Sequence, residues 1–271
     1  MNKLSKEKQS LVLSHLVEGC SIRSTQRITG VDQNTIMRLL VRAGEQAQGV
    51  LANEIIDVPC RFVELDEIWT FVGAKQAHLP VEERDGERGD QYVFIAIDAD
   101  SKLIPHFTVG KRNDETTRRF VWGLKAHIRR SPVQFSTDAF ACYPFAISTA
   151  FPGAAYGQII KHYGPEIIGE KRYSPAKVTS VKKVRRYGMP NPECISTSYV
   201  ERQNLTLRMS CRRFTRLTNA FSKKLENLVA ACNLYVYHYN FMRIHDTLRM
   251  TPAMAANVTN RIWGWDAILP A

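Results

Sequence analysis

Apolar and polar residues alternate along residues 62–73, as they do in a β-strand with one buried face. The apolar residues of that face are Val63, Leu65, Trp69 and Phe71. Three carboxylates, Glu64, Asp66 and Glu67, lie within this run. Burying a carboxylate costs several kcal/mol unless it is paired, hydrogen-bonded or bound to a metal. The segment therefore predicts a functional site on a buried strand, and periodicity does not choose among the three acids.

The chain that follows alternates between strand patterns and helix patterns. Residues 74–90 are polar and contain glycine, which predicts a loop, and a helix is predicted over 114–130. Further strands are predicted at four places: 92–97, 103–109, 132–137 and 158–162. Three strands in hairpin order, then a helix and a fourth strand, are typical of a mixed α/β sheet flanked by helices. Ligands of such sheets tend to bind beyond the strand ends.

The N-terminal part of the chain shows three helical patterns separated by short turns. Helices are predicted over 5–18, 22–29 and 32–42, with Gly30 ending the second. Two short helices joined by a glycine-bearing turn are the helix-turn-helix pattern, although any small three-helix bundle has the same periodicity. In that motif the third helix enters the major groove of DNA. The side chains that it would present to base edges are Gln33, Asn34, Thr35 and Arg38.

The remaining patterns complete the predicted domain organisation. Residues 43–58 are interpreted as the tail of the third helix plus a linker. In the second half, one helix is predicted from Tyr199, capped by Ser198, to about Phe214, and another over 225–242. The predicted division is a helix-turn-helix domain at 1–45, a linker at 46–59, an α/β domain at 60–256 and a C-terminal tail at 257–271.

The charge of the chain favours a polyanionic partner. The 271 residues carry a formal net charge of +11 and a pI of about 9.5, which is most simply explained by nucleic acid binding. Residues 171–186 form a basic run that predicts either a phosphate-contacting loop or a solvated loop. The residues proposed to hold the DNA backbone are Lys182, Lys183, Arg185, Arg186 and Arg212.

Other classes of protein are disfavoured by the sequence. The six cysteines form no C-x-x-C pair and show no zinc-binding spacing. The polar N-terminus lacks the apolar core of a signal peptide, and no run of about 18 apolar residues predicts a membrane span. We therefore expect a cytoplasmic, nucleoid-associated protein with no membrane partner.

Three acids that are distant in sequence lie in or beside regular elements. Asp66 lies within a strand, Asp138 ends another, and Glu201 begins a helix. Phosphodiester chemistry needs little more than carboxylates that hold two Mg²⁺ ions. Each acid also has a structural alternative, because Asp138 is suited to cap a helix and Glu201 stands at capping-box spacing from Ser198. Arg208, two helical turns after Glu201, is suited to hold a phosphate or to be a plain surface arginine.

Three sequence blocks carry a family resemblance. They are ELDEIWTFVG at 64–73, STDAFACY at 136–143 and YVERQNLTLR at 199–208. These blocks resemble the signature blocks of the DDE transposases of bacterial insertion sequences, closest to the "insertion sequence one" family. The resemblance covers about residues 60–256 and implies a ribonuclease-H-like catalytic domain. It implies Asp66, Asp138 and Glu201 as the metal-binding catalytic triad and Arg208 as the basic residue that follows the glutamate.

The expected function is therefore that of a DNA transposase that uses Mg²⁺, with Mn²⁺ as an alternative ion. Such an enzyme cuts double-stranded DNA at the element ends, and the freed 3′-hydroxyl then attacks target DNA in the same site. Because two ends are cut together, we expect a homo-oligomer on DNA. The alternatives are a non-catalytic, sequence-specific DNA-binding regulator and a plain ribonuclease-H-like nuclease.

Overall fold

A computed structural model describes residues 4–84, 86–129, 133–164, 178–216 and 218–269. The α-helices are α1 (Lys6–Val17), α2 (Ile22–Thr29), α3 (Gln33–Glu54), α4 (Asp114–Leu124), α5 (Tyr143–Ala150), α6 (Ser198–Ser210), α7 (Leu225–Tyr237) and α8 (Pro252–Ala255). The strands are β1 (Phe62–Val72), β2 (Gly89–Asp98), β3 (Phe107–Gly110), β4 (Gln134–Thr137), β5 (Ala155–Tyr163) and β6 (Val178–Tyr187). No helix in these ranges is both long enough and apolar enough to cross a bilayer.

The six strands form one mixed sheet in the order β3-β2-β1-β4-β5-β6. Strand β1 pairs antiparallel with β2 and parallel with β4, and β5 runs parallel to β4. The β1–β2–β3 meander is joined to β4 through α4, as the order of the sequence patterns predicted. The predicted fold class, an α/β mixed sheet flanked by helices and preceded by a helical N-terminal region, is confirmed.

Helices cover the two faces of β1 differently because successive side chains of a strand point to opposite faces. Glu67 faces α5, where it contacts Tyr143. Glu64 and Asp66 face α6, where they accept hydrogen bonds from its backbone and from Asn204. The acids of this strand are therefore divided between two environments.

The predicted caps of the N-terminal helices are confirmed. The Ser21 side chain accepts a hydrogen bond from the backbone N–H of Ser24, and Asp32 accepts one from Asn34 at 2.9 Å. Gly30 ends α2 with a φ of +69°, a left-handed conformation that favours glycine. Local capping chemistry alone was sufficient to place these helix ends.

The predicted helix tail after Arg42 is longer than expected, because α3 continues to Glu54 and residues 46–54 of the predicted linker are helical. Ala43, Ala47 and Leu51 continue its buried face, and this face packs along α7. The contact is close at Gly44, where an added Cβ would lie 2.6 Å from the Cα of Ala230. Packing against a helix about 190 residues later therefore keeps a glycine-rich segment helical.

Two glycines of α3 give a matched test of this contact. Gly44→Ala should lower the free energy of unfolding by about 2 kcal/mol, because the new methyl group overlaps the α7 backbone. Gly49→Ala has open space around it and should raise stability by about 0.5–1 kcal/mol through helix propensity. Urea denaturation measures both values. Equal changes for the two variants would contradict the close helix crossing.

Other element predictions need correction. Residues 178–187 form strand β6, so Lys182, Lys183, Arg185 and Arg186 lie on a strand rather than in a loop, while 171–177 lie outside the described residues. The helix predicted over 114–130 ends at Leu124. Helix α5 follows β4, where the sequence offered a helix only as the alternative role of Asp138. The helix predicted over 225–242 has a π-helical last turn, His238–Met242.

Candidate active site

Asp66 and Asp138 are brought together by the pairing of two parallel strands. In the register of β1 and β4, Leu65 lies opposite Thr137, so Asp66 and Asp138 occupy the next positions on neighbouring strands. Asp138 accepts a hydrogen bond from the backbone N–H of Phe140 at 2.9 Å. The alternative that Asp138 caps a helix starting at residue 139 is wrong, because α5 starts only at Tyr143.

Glu201 lies in the first turn of α6, with its carboxylate held at one oxygen. The Thr197 hydroxyl donates a hydrogen bond of 2.6 Å to Glu201 Oε1, and the Lys161 ammonium forms an ion pair with the same atom. The predicted Ser198 cap is not observed. Thr197 occupies the N-cap position instead, and its side chain accepts no hydrogen bond from the first turn of the helix. The capping-box alternative for Glu201 therefore does not apply.

Glu64 supplies the missing cap from another part of the chain. Its side chain accepts hydrogen bonds from the backbone N–H groups of Tyr199 and Val200 at 2.8 and 2.9 Å. Glu64 is only 2% exposed, and burial raises its pKa while these two donors oppose the rise. A buried carboxylate at a helix N-terminus also interacts favourably with the helix dipole. Glu64 therefore docks α6, and with it Glu201, onto β1.

Asn204 makes a second link between α6 and β1. Its side-chain N–H donates to Asp66 Oδ2 at 2.8 Å. Because Asn204 follows Glu201 by three residues, both side chains lie on the same face of α6. The carbonyl oxygen of Asn204 is buried and has no hydrogen-bond partner in the described part of the chain. Sequence reasoning did not select Asn204, because nothing local to it indicates a partner 138 residues away.

Glu67 is a paired structural acid on the opposite face. The Arg112 guanidinium donates to Glu67 Oε1 at 2.5 Å, and the Tyr143 hydroxyl donates to Oε2 at 2.8 Å. Arg112 also lies 3.9 Å from Asp138 Oδ2 and stacks over the ring of Phe140. Arg112 therefore neutralises one side of the acidic cluster. It was not selected from the sequence.

Burial and the neighbouring acids raise the pKa of Asp66 strongly. Burial, followed by the charges of Glu67, Asp138 and Glu201, raises the pKa of Asp66 to about 7. Asp138 and Glu201 therefore both lie within electrostatic range of Asp66. Acids arranged in this way in a half-buried site mark a candidate functional centre.

This raised pKa predicts a pH-dependent stability in the absence of divalent ions. An unfolded aspartate titrates near pH 4, whereas folded Asp66 keeps its proton up to about pH 7. The unfolded state therefore binds fewer protons in this window, and stability falls as pH rises from about 4 to 7, by roughly 2–4 kcal/mol. Asp66→Asn should match wild type at pH 4 and exceed its stability at pH 8. Urea denaturation in EDTA measures this, and an equal difference at both pH values would contradict it.

The oxygen donors of this centre suit a hard divalent cation. Asp66, Asp138 and Glu201 offer carboxylate oxygens, and the unpartnered amide oxygen of Asn204 adds a neutral donor. Among the described residues, no group of three or more His, Cys, Asp or Glu side chains is spaced to hold a metal ion as it stands. Asp138 and Glu201 are instead paired with Arg112 and Lys161.

A candidate nucleic-acid interface lies beside the third helix. Gln33, Asn34 and Arg38 are exposed at the start of α3, and Thr35 is half-buried. Gln33 and Asn34 line a cleft of about 790 Å³. Its cationic lining residues are Arg23, Arg212, Arg213, Lys223 and Lys224, and no acid is found among the described residues that line it. Sequence reasoning selected Arg212 but missed the other four.

Three of the other four predicted backbone contacts have protein partners. Lys183 donates to the carbonyl oxygen of Pro192, Arg185 to that of Gly188, and Arg186 to the Gln158 side chain. Arg208 is half-buried and donates to the carbonyl oxygen of Phe214 at 3.3 Å, and burial lowers its pKa. Arg208 therefore ties down the turn after α6, so the surface-arginine alternative is wrong.

Comparisons with known proteins give slight likenesses. No protein-family model matches the chain, and no curated protein matches it. Among solved structures, the chain is similar to the Mos1 strand transfer complex, with 14% identity, a TM-score of 0.24, and coverage of 56% of this chain and 57% of that one. The Mos1 mariner paired end complex with Mn gives 12% identity, a TM-score of 0.23, and 56% and 59% coverage. The chain thus spans under two thirds of the length of these structures.

Proposed function

We propose that this protein is a DNA transposase that cuts element ends and joins the freed 3′-hydroxyl to target DNA. One observation carries the proposal. Asp66 and Asp138 lie at adjacent positions on paired parallel strands, and α6 brings Glu201 within electrostatic range of Asp66. Together with the resemblance of the three sequence blocks that contain these acids, this geometry favours Asp66, Asp138 and Glu201 as the catalytic carboxylates.

The chemistry of both steps is an in-line displacement at phosphorus. Mg²⁺, or Mn²⁺ in its place, would be held by Asp66, Asp138 and Glu201 and would supply charge stabilisation for the attacking and leaving oxygens. The protein itself would position the carboxylates that hold the ion. Asn204 orients Asp66, Thr197 orients Glu201, and fixed carboxylates lose little freedom when the reacting groups bind.

DNA binding is proposed to use the cleft beside α3. Gln33, Asn34, Thr35 and Arg38 would read base edges, with the amides suited to adenine and the arginine to guanine. The cationic side of the cleft, including Arg212, Lys223 and Lys224, would bind phosphates. Lys182 is proposed to contact the backbone as well. The other proposed contacts, Lys183, Arg185, Arg186 and Arg208, would have to exchange their present protein partners for phosphates.

The test is a two-stage assay on DNA taken from the borders of the coding region. With Mg²⁺, the protein should cut at the ends of inverted repeats and should join a labelled pre-cut end to a second duplex. Cutting without joining would favour the plain nuclease. Sequence-specific binding that is independent of divalent ions, with no cutting, would favour the regulator. The proposed homo-oligomer predicts that two ends are joined in one complex, which gel mobility with ends of two lengths measures.

A further inference from the structure

Lys161 forms an ion pair with Glu201, one of the three proposed metal ligands. It lies on β5 and forms its ion pair with Glu201 Oε1, the same oxygen that accepts the Thr197 hydroxyl. The Lys161 side chain is 29% exposed and that of Glu201 44%, so the pair borders solvent. An exposed ion pair of this kind contributes little to folding stability, which leaves it free to exchange partners.

The second cation of the cluster is held differently. Arg112 contacts Asp138 but is anchored by Glu67, a buried acid outside the proposed triad, and by the ring of Phe140. The Lys161 ammonium pairs with Glu201 and lies at the end of a flexible four-carbon chain. Release of Glu201 would therefore leave Lys161 mobile, whereas Arg112 would stay in place.

We propose that Lys161 is a resident counter-ion that holds Glu201 until a divalent ion binds, and that it then moves to a phosphate of the bound DNA. This positioning role rests on the proposed function. A carboxylate oxygen that is bonded to an ammonium group has reduced capacity for a second cation, and the two cations repel each other. Metal binding and DNA binding would thus be coupled through one side chain.

The location of Lys161 in the sheet supports its proposed contact with a DNA phosphate. Strand β5 pairs with β6 so that Lys161 lies opposite Val181 and Ile159 lies opposite Lys183, which places Lys161 and Lys183 on one face of the two strands and Lys182 on the other. Two lysines on one face of adjacent strands favour a polyanion along that face. Lys182 has no place in the acidic cluster described above, so it provides a matched lysine for comparison.

The first experiment titrates the full-length protein with Mn²⁺ alone, without DNA, by isothermal calorimetry. Lys161→Gln should bind Mn²⁺ about two- to fivefold more tightly than wild type, the factor expected from removing one exposed ion pair. Lys182→Gln should bind like wild type. Equal affinity of Lys161→Gln and wild type would overturn the counter-ion role. Glu201→Gln checks the site itself, since its loss of affinity shows that Glu201 binds the ion whatever Lys161 does.

The second experiment measures DNA affinity against salt concentration for a short duplex, with Mg²⁺ and with EDTA. Lys161→Gln should lower the slope of log affinity against log salt by about one unit relative to wild type in Mg²⁺ only. Lys182→Gln should lower it in both conditions. An equal decrease in the slope for Lys161→Gln with Mg²⁺ and with EDTA would contradict the proposal that Lys161 moves from Glu201 to a phosphate. If wild type binds no divalent ion, the proposed function fails together with this inference, whereas failure of the slope test alone leaves the catalytic proposal standing.

Discussion

Asp66→Asn should abolish Mg²⁺-dependent DNA cleavage and leave DNA binding intact. Asp66 lies at the centre of the acidic cluster, within range of Glu67, Asp138 and Glu201, and its amide replacement removes one of the proposed carboxylate ligands. Loss of about 4 kcal/mol of transition-state stabilisation corresponds to a rate decrease of about 1,000-fold. Cleavage of end DNA measures the rate, and fluorescence anisotropy with the same duplex measures affinity.

Asp114→Asn is the matched control for this variant. Asp114 is an exposed acid that pairs with Arg118 one helical turn away, and it has the same side chain outside the cluster. It should cut at the wild-type rate, and EDTA should stop cleavage by both wild type and this control. Mg²⁺-dependent cleavage retained by Asp66→Asn would remove Asp66 from the mechanism.

Glu64→Ala should be the most destabilising change among the acids of β1. The substitution leaves the first N–H groups of α6 without their acceptor and leaves a buried space where the carboxylate lay. Loss of hydrogen bonds to a buried charged group and of a helix cap predicts a decrease in the free energy of unfolding of about 2–4 kcal/mol. Glu64→Gln keeps the shape and one acceptor, so its cost should be about half as large.

Hydrogen exchange locates the effect of this change. The amides of Tyr199 and Val200 should exchange faster in Glu64→Ala, because the first turn of α6 is released. Glu67→Gln is the control, since its partners Arg112 and Tyr143 lie on the other face of the sheet and it should leave α6 protected. Unchanged exchange at Tyr199 in Glu64→Ala would contradict the docking role. Cleavage should fall further than the unfolded fraction explains, because Glu201 would lose its position.

Glu64 also shows where sequence reasoning stopped. Periodicity placed three acids on one strand but did not distinguish them, since a strand pattern gives the face of a residue and not its partner. The structure separates them by contacts. Glu64 caps α6, and Glu67 pairs with Arg112 and Tyr143. Asp66 accepts from the side chain of Asn204 and is surrounded by other acids.

The basic residues also show that the sequence pattern does not identify the partner of a charged side chain. Net charge predicted a polyanionic partner but did not indicate which cations are available to it. Lys183 and Arg185 prove to be bonded to backbone carbonyl groups, whereas Lys223 lines a cleft with the predicted reading residues Gln33 and Asn34. Whether a side chain is free to bind DNA depends on its neighbours in space, and these are often residues far away in the sequence.

The sequence by itself determined the features that depend on near neighbours. The alternation of β1, the caps at Ser21 and Asp32, and the glycine that ends α2 all involve residues within a few positions, so local chemistry fixes them. Only the tertiary structure decided the rest. The extension of α3 along α7, the cap that Glu64 gives to α6, and the Lys161–Glu201 pair join residues 40 to about 190 positions apart. Such contacts form only when the sheet has set which strands are neighbours, and no local pattern encodes that pairing.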